Sequence, residues 1–214
     1  MDRKKGPSYE DSVFVNCPFD EEYEELFDAV VFAVHDCGFV ARCALEASDS
    51  GEARIDKILA IIAKCEFGIH DISRTELSKN TRLPRFNMPL ELGLFLGAKT
   101  FGPRGRRAKV CLILDRQKYR YQKFCSDIAG QDIEAHDGKP KIAIKAVRDW
   151  LQTNRYGSPV TIPDGKTIYD RYRRFLLELP ELRRGARLDR DEKLIFVDYQ
   201  MLVIGWIAAN DWRP

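Results

Sequence analysis

The chain has 214 residues, 44% hydrophobic, 11% aromatic and 32% charged, enough for one sizeable core or for a domain of about 120–150 residues with an appended unit. Without low-complexity stretches or repeats at solenoid periods, this composition excludes disorder beyond the ends. The net charge of +2 hides a split, because residues 1–100 carry 12 Lys/Arg against 18 Asp/Glu and residues 101–214 carry 23 against 15.

Residues 1–11 are polar and read as a flexible arm. Residues 13–16 (VFVN) form a short apolar run that stops at the turn-like Cys17-Pro18-Phe19-Asp20. Asp20 is placed to cap a helix whose first turns are crowded with Glu21, Glu22, Glu24 and Glu25, where the helix dipole favours negative charge. Leu26, Phe27, Val30, Val31 and Val34 then recur at helical spacing, and Gly38 ends the element. Residues 39–45 read as a second strand, 48–52 as a loop, and Ile55, Ile58, Leu59 and Ile62 as a second helix. Residues 67–72 are a third strand, 88–99 a third helix and 109–115 a fourth strand. Between the third strand and third helix lies a polar connection, 73–86, long for this kind of fold and therefore a functional candidate. Strands alternating with helices predict parallel pairing with right-handed crossovers. The expected architecture is a three-layer α/β fold, a parallel sheet with helices on both faces.

Past residue 116 the pattern turns mostly helical, over 141–152, 164–179 (ending before Pro180) and the apolar segment 194–209. The division expected is an arm (1–11), a nucleotide-handling α/β domain (12–130) and a mainly helical C-terminal extension (131–214). That extension either completes the sheet with a fifth strand or stands as a separate cap.

Cys17, Cys37, Cys43, Cys65, Cys111 and Cys125 form no CxxC pair and have no His at ligand spacing, so neither a metal centre nor a disulfide framework is expected. The N-terminus has no apolar signal core, and the most apolar segment is broken by Asp198 and Gln200 and is too short to span a bilayer. A cytoplasmic protein without membrane contact is expected. The basic half, including Arg104, Arg106, Arg107, Arg171, Arg173, Arg174, Arg183, Arg184, Arg187 and Arg190, reads as a nucleic-acid surface or as solvated helix faces beside the acidic half. Solvated faces are the simpler reading, and nucleic acid is not the expected partner.

The most informative stretch is R-x-N-x-x-x-E-L-G-x-F-x-G, from Arg85 to Gly97. Glu91 lies in an otherwise apolar run, where a carboxylate is expensive unless paired or put to use. Asn87 falls on the same helical face, or serves as an N-cap, and Gly93 and Gly97 would let the helix pack closely against the sheet or a ligand. Strand ends supply the other candidates: Asn16, Arg42, and Asp71 with Ser73, all on the rim where such sheets bind ligands. Phe19 offers a ring to stack on a base, and Arg85 a phosphate contact. His70 reads as a strand residue rather than a general base. With no GxGxxG and no P-loop, dehydrogenases and phosphoryl-transfer enzymes are disfavoured.

This stretch, with 13–16 as the opening strand, the helix–strand pair ending in Asp71-Ile72-Ser73 and the strand at 110–115, resembles the TIR-like nucleotide-binding domains of bacterial anti-phage effectors. More distantly it is similar to nucleoside 2-deoxyribosyltransferases. The resemblance covers residues 12–115 and departs at Asn16-Cys17-Pro18-Phe19-Asp20, where typical TIR chains have a Ser/Tyr-rich loop. It implies a flavodoxin/TIR-like fold and cleavage of an N-glycosidic bond in NAD or a related nucleotide, with Glu91 as the catalytic glutamate, Asn87 and Arg85 beside it and Asp71 near the sugar. NAD or a nucleotide is then substrate, and no cofactor or metal is required. The charge split, together with the assembly that the resemblance implies, points to a homo-oligomer or a partner chain engaged through the C-terminal region, unless the apolar segment 194–209 closes the domain's own core. The alternatives are a deoxyribosyltransferase or nucleoside-monophosphate hydrolase, and a module that senses a nucleotide without chemistry.

Overall fold

Apolar runs form five parallel strands in a computed structural model that describes residues 6–46, 48–75, 85–103, 108–155 and 161–212. Most of the polar connection (76–84), Arg104, Arg106 and Arg107, and the first five residues of the arm lie outside the described residues. The strands are β1 (Ser12–Asn16), β2 (Val40–Arg42), β3 (Phe67–Asp71), β4 (Val110–Asp115) and β5 (Ile133–Ala135), in sheet order β2-β1-β3-β4-β5. Every residue of β1 and β3 is buried, as both faces of a parallel sheet are covered.

The helices are α1 (Glu24–Asp36), α2 (Arg54–Ala63), α3 (Asn87–Phe101), α4 (Pro140–Asn154), α5 (Gly165–Gly185) and α6 (Phe196–Ala209). Strand alternation sorts them into layers. Val13 and Val15 pack with α1 and α4 on one face. Phe14 packs with Ile58, Ile61, Ile62 and Phe95, from α2 and α3, on the other. The fold is thus the expected three-layer α/β sandwich, followed by a helical C-terminal region. β5 and α4 belong to the sheet and its covering layer, while α5 and α6 add a further layer over α1. Helix α1 is therefore wrapped on both sides, with ten of its thirteen residues buried.

Aromatic packing and one ion pair hold that outer layer. The Phe32 ring lies 5.4 Å from those of Tyr172 and Phe175 and 5.7 Å from that of Trp206. Asp36, buried at the end of α1, accepts from Arg171 Nε and Nη2 at 2.9 Å each. Arg171 Nη1 also donates to the Asn210 carbonyl at 2.8 Å, tying the end of α6 to the same point.

Several local features differ from the sequence expectation. β2 stops at Arg42 because the chain then turns through a 3-10 segment, Ala44–Glu46, which brings Glu46 back onto the Arg42 guanidinium. Asp20 does not cap a helix with its side chain, which turns instead to Arg74 and Arg85. α5 runs through Pro180 to Gly185; Leu179 and Leu182 pack on the core and offset the hydrogen bond the proline removes. Gly38, at φ 88°, closes α1 in the left-handed conformation, with Phe39 N–H donating to the Val34 carbonyl at 3.1 Å. Residues 8–11 of the expected arm are fastened to the sheet, where the Tyr9 carbonyl accepts from Ser12 and Glu66.

The expectation that Gly93 and Gly97 bring α3 close to the sheet is corrected. A Cβ at either position would meet nothing within 4 Å. The close approach is at Gly68 in β3, where a Cβ would come within 2.7 Å of the Phe95 ring and 2.8 Å of His70 Nε2.

Candidate functional site

The sheet order fixes where a ligand rim must lie. The chain leaves β1 toward β2 on one side and returns to β3 on the other, so strand order reverses between β1 and β3. Ligands in such sheets bind beyond the carboxyl ends of the strands at that reversal. The turn at Cys17–Asp20, the loop after β3 and the first turns of α3 meet there. Asn16, at the end of β1, donates its side-chain amide to the Met88 carbonyl at 2.9 Å and lies 3.0 Å from His70 Nδ1. It fastens α3 to the rim, and both amide hydrogens are spent in doing so.

Glu91 follows one turn later on α3. It is only 5% exposed, and its carboxylate has no hydrogen-bond or ion-pair partner among the described residues. Burial pushes its pKa up to about 6, against a downward pull from Arg54 at the start of α2. Cys17, buried in the turn after β1, marks how close the rim groups are. Its thiol is raised well above the ordinary range by burial, and then by the charges of Asp71, Cys43, Glu91 and Asp20. The ends of β1, β2 and β3 and the flank of α3 thus converge on one acidic, largely desolvated region.

The remaining candidates divide. Asp71 is buried at the end of β3; its Oδ2 accepts from the Tyr23 hydroxyl at 2.5 Å and its Oδ1 from the Ser73 backbone at 2.8 Å. Ser73 is buried beside it. Arg85, half exposed, pairs with Asp20 across the rim at 2.8 Å. Arg42 is held by Glu46 through two contacts, at 2.7 and 2.5 Å. Asn87 is the first residue of α3, exposed and not a cap, so it does not share Glu91's buried environment. Phe19 lines a different cleft, described below. His70 is the strand residue expected: fully buried, its pKa driven down to about 3 by burial, between the rings of Phe14 and Phe95.

Sequence reasoning missed a second polar cluster on the same rim. His136 follows β5, in a turn whose next two residues, Asp137 and Gly138, have φ of 53° and 70°. That turn aims the Gly138 N–H at His136 Nδ1, 2.9 Å away, so Nδ1 accepts and the proton is assigned to Nε2. Nε2 lies 3.0 Å from Asp71 Oδ2, off the hydrogen-bonding axis. Asp115, at the end of β4, is fully buried and accepts from Arg120 Nε at 2.8 Å and from the Arg116 backbone at 2.6 Å. Its pKa is raised, by burial first and with Asp71 adding, against the Arg120 guanidinium. Applying the strand-end rule to the fourth strand would have found Asp115; His136 had no signal while β5 was unrecognised.

Among the described residues no group of three or more His, Cys, Asp or Glu is placed to hold a metal ion, and no helix is long and apolar enough to cross a membrane. Comparison with protein-family models and with curated proteins finds no match for the chain.

Proposed function

We propose that the protein is an N-glycosidase that cleaves the bond between base and ribose in NAD or a related nucleotide. The observation that carries this reading is Glu91: a buried carboxylate, without a partner among the described residues, at the point of strand reversal, with its pKa raised to about 6. Carboxylates without donors are costly inside a protein, and groups perturbed in this way mark functional sites. The resemblance to TIR-like domains of anti-phage effectors, strongest at the same residues, supports the chemistry and suggests a role in antiviral defence in the cytoplasm.

The reaction needs little apparatus. Nicotinamide bound to ribose in NAD is already a cationic leaving group, so the enzyme must chiefly stabilise positive charge developing at the ribose carbon. An ionised Glu91 does so electrostatically or as a transient nucleophile. Arg85, at the rim and half exposed, is available to a phosphate if it exchanges Asp20 for the ligand. Base release should rise as Glu91 ionises, through about pH 6.

The test is to incubate pure protein with NAD and, separately, with deoxynucleosides and nucleoside monophosphates, following free base by chromatography. Nicotinamide release that disappears in Glu91→Gln is the expected result. Turnover confined to the other substrates would move the assignment to a deoxyribosyltransferase or nucleoside-monophosphate hydrolase. Tight nucleotide binding with no base release at high protein concentration would make the site a sensor.

A further inference from the structure

A cleft of about 580 Å³ opens on the other side of the Cys17–Asp20 turn, between α1 and the connection from α5 to α6, and its lining does not include Glu91 or Asp71. We propose that this cleft is a second binding site, for an organic ammonium compound with an aromatic or aliphatic body.

Its size is that of a small-molecule pocket, and its walls are aromatic. Phe19 meets Phe27 edge-on at 5.4 Å, Phe27 meets Phe196 at 5.8 Å, and all three rings line the cleft. The polar lining is acidic in effect. Of its cations, Lys193 is paired with Glu24 at 3.0 Å, and Arg183 donates from Nη2 to the Asp189 and Glu192 carbonyls, bonds that hold its position without cancelling its charge and leave its buried Nε without a partner. Arg183 and Arg190 then stand against Glu21, Asp28, Asp191 and Glu192. Asp28 is the most telling of these: its carboxylate has no hydrogen bond or ion pair among the described residues. Asp20, also in the lining, has a buried Oδ1 without a partner. Aromatic side chains beside a carboxylate that has no partner among the described residues are the chemistry that recognises an ammonium group carried on an apolar body. A nucleotide or phosphate would meet six carboxylates against three cations in the lining.

Groups from each packed element bear on Asp28. Burial and the neighbouring Glu24 of α1 raise its pKa to about 7, and Lys193 from the α5–α6 connection pulls it down. The buried phenols of Tyr172 on α5 and Tyr199 on α6 both feel its charge, and Tyr199 donates to the Asp28 carbonyl at 3.0 Å. About a tenth of Asp28 is ionised at pH 6 and about nine tenths at pH 8. An amine that stays protonated across this range should bind about tenfold more tightly at the higher pH.

Calorimetric titration of the full chain with phenethylamine and with spermidine, at pH 6 and pH 8, tests this. AMP and inorganic phosphate serve as anionic probes. The expected result is amine binding with that tenfold ratio. In Asp28→Asn the ratio should collapse to about one, and affinity at pH 8 should fall by about tenfold or more. This variant replaces a half-buried carboxylate, unpaired among the described residues, with a neutral isostere, and a melting curve verifies its fold. Glu91→Gln should bind the amines as wild type does, which keeps this site's fate separate from that of the proposed glycosidase. Absence of amine binding up to millimolar concentration, pH-independent binding, undiminished binding by Asp28→Asn, or tighter binding of AMP or phosphate than of either amine would each overturn the proposal.

Discussion

Replacing Glu91 by Gln should make the protein more stable at alkaline pH while removing base release. The carboxylate is buried, without a partner among the described residues, and its pKa rises from 4.5 to about 6 in the folded state. For a group raised on folding, the stabilising contribution is complete below the unfolded value and is lost as pH climbs through the folded one. Wild type therefore carries no penalty below about pH 4.5 and the whole of it by pH 8. Its size is about 1–2 kcal/mol, discounted because Glu91 sits at a rim that water reaches. The near-isosteric amide does not titrate, so the variant should melt roughly 2–8 °C above wild type at pH 8. The two proteins should melt together at pH 4.5. Thermal melts at both pH values, and turnover on the same preparations, check both halves of the argument. A variant less stable than wild type at pH 8 would mean that Glu91 makes a structural contact, and wild-type turnover would remove it from the chemistry.

Asp36→Ala should cost about 3–5 kcal/mol in urea unfolding, because it leaves the largely buried Arg171 without its counter-charge; a loss under about 1 kcal/mol would refute the role given to this pair in holding the outer layer. His35 is buried and its pKa is lowered by burial to about 4, so its contribution is complete above about pH 6.5 and lost as pH falls through 4. Between pH 7 and pH 4, His35→Gln should lose about 2–3 kcal/mol less stability than wild type by urea titration, and equal losses would refute the assignment. The opposing contributions of Asp28 and Glu91 cancel in that comparison. On α6, Val197, Met201 and Ile204 face outward, Met201 with 63% exposure; Met201→Glu should leave the melting temperature unchanged but dissolve any self-association seen by light scattering. A wild-type protein that is monomeric at every concentration would remove that contact.

The sheet was legible in the sequence because its strands are continuous apolar runs ending in turn residues, and because helices of regular period separate them. β5 was not, since Ile133-Glu134-Ala135 is three residues long with an exposed centre, too short for periodicity to register. Glu91 could be read because a lone carboxylate among leucines breaks a pattern. Gly93 and Gly97 misled for a related reason: helical spacing gives a face, but not whether the sheet or solvent lies against it. The segment 194–209 looked either core or interface and is partly core. Phe196, Tyr199, Val203, Trp206 and Ile207 close over α1, and the opposite side of the helix stays uncovered. Asp71 was placed at the rim correctly by the strand-end rule, yet its partners Tyr23 and His136 are 48 and 65 positions away, and no local spacing encodes such contacts.

Those partners explain why two rim carboxylates should behave differently. Asp71 receives a phenol and a backbone N–H and stands beside an imidazole, from three different segments. Removing the phenol or the backbone N–H would leave a buried oxygen unsatisfied, so these two bonds tie the entry to α1 to the loop after β3, with the turn after β5 packed against them. Glu91 receives no such donor among the described residues, and its charge is not spent on holding the rim together. A carboxylate that must support developing positive charge gains from that isolation, because a donor already bound to it would compete with the substrate. The same reasoning sets Asp28 apart from Asp36 along a single helix. Asp36 is saturated by Arg171 and fixes the outer layer, whereas Asp28, two turns earlier, has no partner among the described residues at the wall of an open cleft. Asp36 and Asp71 are the carboxylates whose partners join segments, and Asp28 is the one that faces an open cleft.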